Sequence, residues 1–419
     1  TGHLKLENIT KNAVLRYTVS DTNGKEFATY ESEIEKGAKN IVIENKWEGI
    51  EAWTPETPNL YYLNIELAEK NKTLHSITER IGFRTIEVRP KDGIYCNGTK
   101  VILKGVNRHT FWSEGGRCTN QPISVMDVNL IKEMNMNAVR CHYPPDKHFL
   151  DACDSLGLFF IDELAGWQNA YNTVIGSKLV EEMINRDVNH PCVILWSNGN
   201  EGGWNYNIDP LFEQLDPQKR DVIHGWADFD DIDTHHYPQY QTGVHRFNDG
   251  EKIFMPTEFL HGLYDEGHGA GLDDFWAKWT SSPLFAGGFL WAYNDDAVVR
   301  TDLNDSLDSD GQHAPDGIVG PFREKEGSFF TIKEVWAPIQ FEPLMITPSF
   351  KGELFVKNTY LYTNLNECKL AFEVKKIPGP WEKPDITSIA SGTISLPSIF
   401  PGETRKVKMN LPNNFFDGD

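Results

Sequence analysis

Apolar and polar positions alternate with period two through residues 1 to about 88, in the runs LKLENI, AVLRYTVSD, IVIEN, LYYLNIEL and SITERIGFRTIEV. The breaks DTNGKE, EKG and AEKNK carry turn chemistry. Short alternating runs of this kind bury one face of each strand, which predicts an antiparallel immunoglobulin-like β-sandwich. In WTPETPNLYYLNIEL the prolines stand just ahead of a strand, where no ladder hydrogen bond is lost.

From residue 89 to 340 the rhythm changes. Continuous apolar runs, each ending in polar residues, give eight strand candidates: VILKGVN, NAVRCH, GLFFIDE, CVILWSN, DVIHGWA, DIDTHHY, KIFMPTE and GGFLWAY. Between them ISVMDVNLIKEMN, DKHFLDACDSLG, KLVEEMINRDVN and LDDFWAKWTSS space their apolar residues as helices do. Fully apolar strands alternating with helices predict a (β/α)8 TIM barrel. Only a few residues separate GWA from DIDTHHY, too few for a helix, so the barrel is expected to be irregular with its fifth helix missing. Alternation returns over residues 341–419 (GELFVKNTY, KLAFEVKKI, TISLPSI, RKVKMNL), a second β-sandwich. The chain ends on NNFFDGD without a closing element, so more protein is expected to follow. A multidomain reading suits 419 residues, too many for one ordinary core.

Composition changes this picture in a few places. The net charge of −21 is spread along the chain and repels phosphate, which argues against nucleic acid and anionic membrane surfaces as partners. No apolar run is long enough to span a membrane. Six cysteines without a CxxC pair read as buried free thiols, with no zinc site or disulfide framework. The first residue is Thr1, which reads as a processed end or an internal boundary. Compartment and oligomeric state stay open.

Candidate chemistry sits where barrel strands end, because the C-terminal ends of such strands face the active site. In PCVILWSNGNEGG an apolar strand runs into Asn200 and Glu201, followed by glycines that let the backbone turn away. KIFMPTEF repeats the design with Glu258. Glutamates on strands four and seven can approach across the mouth to the roughly 5–5.5 Å of a retaining glycosidase, one protonated to expel the leaving alcohol, the other ionised to attack the anomeric carbon. The other strand ends offer sugar-binding groups: Asn107, Arg108 and His109; Arg140 and His142; His235, His236 and Tyr237; and Trp291. Trp112, Trp204 and Trp291 are candidate platforms for the C–H face of a sugar ring. Adjacent strand residues point to opposite faces, so His235 and His236 do not read as ligands of one metal ion.

The blocks GVNRHTFW, NAVRCHYPP, FIDE, NHPCVILWSNGNE, MPTEF and GGFLWAYND resemble, in order, the signature blocks of glycoside hydrolase family 2. The resemblance implies Glu201 as acid/base, Glu258 as nucleophile and Asn200 as a contact to the sugar 2-hydroxyl. EFLHGLYDEGHGAGLDDFWAKWTSSPLFAGGFLWAY is similar to bacterial β-galactosidases of that family. It implies sugar-contacting roles for His142, His261 and Trp291 and aligns Tyr237 with a Tyr that contacts the nucleophile and His109 with a His of the first strand's block; all five join Arg140, from its strand end, as substrate-binding candidates. The family's N-terminal jelly roll is not found ahead of Thr1, so the chain is expected to be an internal piece of a longer enzyme. β-Glucuronidases of the family carry an Asn-x-Lys pair after the eighth strand, and none occurs between Trp291 and Gln340. Lactose-cleaving relatives follow Asp-Glu with a Glu and a His that bind magnesium; here LAGWQNAY follows Asp162-Glu163, so the magnesium site is expected to be missing, with Trp167 filling its space. The reading is a retaining exo-β-galactosidase requiring no cofactor, acting on a galactoside or oligosaccharide that is expected to be a plant or algal galactan fragment. β-Glucuronidase, β-mannosidase and a non-catalytic carbohydrate-binding protein are the rivals. Glycan-degrading enzymes of this kind are often exported, which points to a periplasmic or extracellular location.

Overall fold

The computed structural model describes all residues except 71, 242–249, 263–269, 312, 343–346, 348, 382–384 and 412–419. The expectation drawn from NNFFDGD therefore lies outside the described residues, as does part of the block C-terminal to Glu258. The chain divides into two compact units, Thr1–Trp336 and Ala337–Asp419.

The first unit opens with a sandwich. Ala13–Asp21 lies between Glu26–Ile34 and Tyr61–Glu69, and Tyr61–Glu69 pairs on with Lys72–Ile81, all antiparallel. Gly2–Lys5 pairs with Asn40–Ile43 as a second, two-stranded sheet. Leu15, Tyr17, Ile34, Ile43 and Ile65 form the core between them. Specific bonds tie the sandwich to the barrel of the same unit. The Trp53 indole N–H donates to the Asp154 carbonyl at 2.8 Å, and Arg84 reaches the carbonyls of Pro191 and Val193. A hairpin pairing Ile86–Arg89 with Gly93–Cys96 then leads into the barrel.

Barrel strands one to five are Leu103–Asn107, Ala138–Arg140, Phe159–Glu163, Val193–Asn200 and Val222–Gly225, and strand eight is Gly287–Leu290. They form one parallel sheet in the order five, four, three, two, one, eight. Strands six (Ile232–Asp233) and seven (Ile253–Phe254) are short and parallel to each other. Isolated parallel bridges carry the ring round: His236 to Glu258, and Phe254 and Phe259 to the eighth-strand segment. No helix separates strands five and six; Asp228–Phe229 folds back antiparallel on strand six instead. Helices Gln121–Glu133 and Thr173–Asp187 begin on Asn120 and Asn172, whose side chains accept from the backbone N–H three residues on. Two further helices, Asp209–Leu215 after strand four and Gly327–Val335 after strand eight, were not among the helical stretches expected from sequence.

Val193, Ile194, Leu195 and Trp196 are fully buried, so the apolar half of the fourth strand is core. Trp196 is held there by its indole N–H on Asp216. No disulfide occurs among the described residues, and Cys96, Cys141, Cys153 and Cys192 are buried; Cys118, in the loop after strand one, is exposed, contrary to the expectation for it. The second unit pairs Ile339–Phe341 and Thr404–Lys408 with Glu353–Asn358 around Val356, Leu365, Leu396, Ile399 and Val407.

Candidate active site

The turn after strand four is built from glycine contacts. A Cβ on Gly203 would lie 2.3 Å from the Gly166 carbonyl carbon, and one on Gly199 would lie 2.5 Å from the Gly203 oxygen. Only bare backbones fit this closely, so the loops after strands three and four touch. Gly199 and Gly202 have φ of +82° and +92°, and Glu201 between them is left-handed at +47°. This turn directs Glu201 into a cavity of about 780 Å³. It also brings up Trp167, whose indole N–H donates to Glu201 Oε2 at 2.9 Å.

Glu258 enters from strand seven and is 2 % exposed. His142 Nε2 lies 2.9 Å and Arg140 Nη1 3.1 Å from its Oε1, while the Tyr237 hydroxyl donates to Oε2. Burial alone would raise its pKa, but His236, His142 and Arg140 hold the carboxyl well below the usual range. Glu201 is less enclosed; its pKa is also lowered, chiefly by His236 and more weakly by the Trp167 N–H, against burial. Single atoms of Glu201, His236 and Glu258 lie within 4.8 Å of one another, so the two carboxylates meet across one gap.

His109, His142, Asn200, Tyr237, His261 and Trp291 line the same cavity as the two glutamates. Arg140 does not. It is fully buried beneath the wall, donating to Asn107 Oδ1 at 2.9 Å, Asn200 Oδ1 at 2.7 Å and Glu163 Oε2 at 2.9 Å as well as to Glu258. Its guanidinium joins four barrel strands and leaves no face for a ligand. Trp291, linked to Ala292 by a cis peptide bond, stacks near His261 and meets the edges of His109 and His142. Trp112 packs on Phe322 and Trp204 stacks on His224; neither lines the cavity. Asn107 and Arg108 are buried too, Arg108 paired with Asp127 at 2.7 Å.

Sequence patterning does not single out several residues of this site. Tyr143 directly follows His142 in CHYPP and fixes His109: its oxygen accepts from the Thr110 N–H and lies 3.0 Å from His109 Nδ1. Burial pushes the pKa of His109 down to about 3, keeping it neutral. Asp316, whose setting in PDGIVGP gives no signal, accepts the Trp291 indole N–H at 2.9 Å and lies 3.4 Å from His261 Nε2. Burial pushes Asp316 up to about 7. Arg117, Asn169 and Tyr171 complete the rim.

Among the described residues, two groups of side chains approach metal-ligand spacing. Asp154, His190 and Cys192 lie below the barrel, where Asp154 already bonds His190 at 2.6 Å and faces Arg80 at 3.4 Å. In the group Glu201, His236 and Glu258, Glu258 is paired with Arg140 at 3.1 Å, so its charge is met by a guanidinium. A magnesium ion beside Glu201 does not fit the residues of the third-strand loop: Trp167 offers an N–H donor, Glu163 is bound to Arg140, and Asp162 is buried against Asp187, which together with burial raises its pKa well above normal.

Residues 86–341 match the family profile described as glycosyl hydrolases family 2, TIM barrel domain, and residues 4–84 match that described as glycosyl hydrolases family 2. A β-galactosidase of Lactococcus lactis is 28% identical over 382 residues, covering 81% of this chain and 38% of that protein. The chain thus spans well under half the length of this relative. A β-glycosidase structure from Bacteroides vulgatus aligns with a TM-score of 0.69 at 20% identity, covering 97% of this chain and 59% of that one. A Bifidobacterium dentium β-glucuronidase structure aligns with a TM-score of 0.64 at 23% identity, over 78% of this chain and 61% of that one.

Proposed function

Since the chain belongs to glycosyl hydrolases family 2, we propose that it carries the catalytic centre of a retaining exo-β-glycosidase acting on terminal β-galactosides, with Glu258 as nucleophile and Glu201 as acid/base. Glu258 attacks the anomeric carbon as Glu201 gives its proton to the departing glycosidic oxygen, leaving a glycosyl-enzyme and a free alcohol. Glu201, now a carboxylate, takes a proton from water as that water attacks the same carbon and releases Glu258. The observation that carries the reading is the pairing of two carboxylates within 4.8 Å in one open cavity. That approach suits the short carboxyl separation of retaining enzymes and is less than the ~6.5–9.5 Å an inverting enzyme needs to seat a water.

The environments suit the division of labour. Donors surround Glu258 and keep it ionised, while Glu201 stands at the open side, where a leaving group exits. Trp291 serves as the sugar platform, and His109, His142, Asn200, Tyr237 and His261 are hydroxyl partners. In this reading the reaction needs no divalent ion beside Glu201, and Trp167 occupies that side. β-Galactosides are favoured by the likeness to curated β-galactosidases. A second reading, a uronic acid glycosidase, draws on Arg117: its guanidinium lies 4.1 Å over the Tyr143 ring at the cavity rim, with no ion pair to a carboxylate among the described residues.

The test is the full-length protein against aryl β-galactosides, β-glucuronides, β-galacturonides and β-mannosides. Turnover of the galactoside is expected, and turnover of a uronide alone overturns the substrate assignment. Azide added to Glu258→Ala should release the α-glycosyl azide; a β-azide would exchange the two glutamates' roles.

A further inference from the structure

His236 is buried between the two glutamates, and its hydrogen bonds restrict where its protons can sit. Nε2 lies 2.9 Å from the Thr257 hydroxyl oxygen. That hydroxyl has one proton, and at 3.1 Å it donates it to the carbonyl of Thr234, a buried residue. A carbonyl can only accept, so Thr257 Oγ1 receives a proton from His236 Nε2. The opposite tautomer would leave the Thr234 carbonyl without a donor in the interior.

Nδ1 then faces Glu201 Oε1 and Glu258 Oε2, each at 3.3 Å. A bare imidazole lone pair pointing at two carboxylates is repulsive, and a proton between them makes the contact favourable. Glu258 already receives bonds from Tyr237, His142 and Arg140, which keep it ionised. Glu201 has only the Trp167 indole besides His236 among the described residues.

We propose that one proton is shared between His236 Nδ1 and Glu201 in the resting enzyme, making His236 a positioning residue that keeps the acid/base loaded. The proposal rests on the assignment of Glu201 as acid/base. In the first step the shared proton leaves on the glycosidic oxygen while Glu258 becomes an ester and loses its charge. In the second, water returns a proton to Glu201 and Glu258 is released as carboxylate, so the proton count closes over the cycle. The other groups facing His236 are few: Trp226 stacks flat on its ring at 5.3 Å, Tyr237 meets it edge-on, and Arg140 opposes its protonation through charge. Burial, with Arg140, outweighs the two glutamates and lowers the pKa of the His236 ring, so the proton is held by the pair and not by the imidazole alone. In the sequence pattern His236 only closes strand six.

Two measurements decide it. In the full-length protein with ¹⁵N-labelled histidine, His236 should show Nε2–H at all accessible pH and a protonated or exchanging Nδ1 at neutral pH, with the Nδ1 signal changed in Glu201→Gln. A bare Nδ1 at neutral pH, or an Nδ1 signal indifferent to Glu201→Gln, overturns the proposal, and this readout does not depend on turnover. The second measurement is the pH profile of kcat/KM for His236→Gln, which keeps a donor for both carboxylates but cannot titrate. Its alkaline limb should move toward acid by at least about one pH unit. Turnover of alkyl glycosides at neutral pH should fall at least about tenfold, and that of 2,4-dinitrophenyl glycosides, whose leaving group needs no acid, about threefold or less. An unmoved limb, or equal losses on both substrates, means a merely structural histidine. Wild-type protein inert toward every aryl glycoside would instead count against the glycosidase reading, with the ¹⁵N result still deciding the proton's place.

Discussion

The two glutamates end strands of the same barrel yet sit in opposite surroundings. Glu258 is sealed in and bonded by Arg140, His142 and Tyr237 from two other strands. Glu201 is held on a left-handed turn, partly open, by an imidazole and an exposed indole. The difference reflects what each must do. A nucleophile needs a fixed charge and a fixed position, which crossing strands supply. An acid/base must change protonation twice per cycle and face the leaving group, which a loop at the open side permits.

The largest expected effect comes from breaking the sealed side. Arg140→Leu leaves Glu163 and Glu258 buried without their cation, and removing one member of such a group destabilises by about 3–5 kcal/mol. Denaturant unfolding should show that loss. The sign with pH comes from Glu258's lowered pKa: its stabilisation is present above the usual carboxylate range and fades on acidification, so the gap between variant and wild type should narrow toward acid. A gap independent of pH would mean that Arg140 acts by packing alone. Next in size is the open side. Gly203→Ala sets a Cβ 2.3 Å from Gly166 and should part the two loops, at about 1–3 kcal/mol, with poor leaving groups losing more rate than activated ones. Equal losses on both would place the damage at the nucleophile instead.

These same regions show what could be read from residues alone. CVILWSNGNE and KIFMPTE are apolar runs ending in polar groups, so strand identity and the strand-end position of both glutamates were legible. The missing fifth helix was legible too, because the three residues between GWA and DIDTHHY leave no room for one. The short helix DPLFEQL was not: seven residues hold too few apolar positions to show a period. Arg140 looked like a binding residue because it ends a strand; its burial depends on Asn107, Asn200 and Glu163 arriving from three other strands. Asp316 lies 25 residues beyond Trp291 in an irregular segment, and no local pattern joins the two.

Trp167→Phe is a smaller and more selective perturbation of the open side. It keeps an aromatic wall but removes the N–H on Glu201 Oε2. That N–H favours the ionised carboxylate, so its loss should raise the acid/base pKa and move the alkaline limb of kcat/KM up, opposite in sign to the shift expected for His236→Gln. With the indole 65% exposed, the change in rate should stay within about tenfold, the scale of one solvent-weakened bond. A limb that moves down would show the indole acting through the leaving group, not through Glu201.

The smallest effect is expected behind the sugar platform. Asp316→Asn keeps an oxygen for the Trp291 indole but cannot ionise. Burial raises the native pKa of Asp316 from about 3.8 to about 7, so its contribution to stability is full below about pH 4 and is lost as pH rises through 7. The variant should therefore gain on wild type in Tm across that window while differing little at about pH 4. Its KM for an aryl galactoside should change less than its Tm profile, because Asp316 touches Trp291 and His261 without lining the main cavity. A large KM change with a flat Tm difference would mean that the Asp316 charge reaches the sugar itself, and the sealed side of the site would then extend past the nucleophile to the platform.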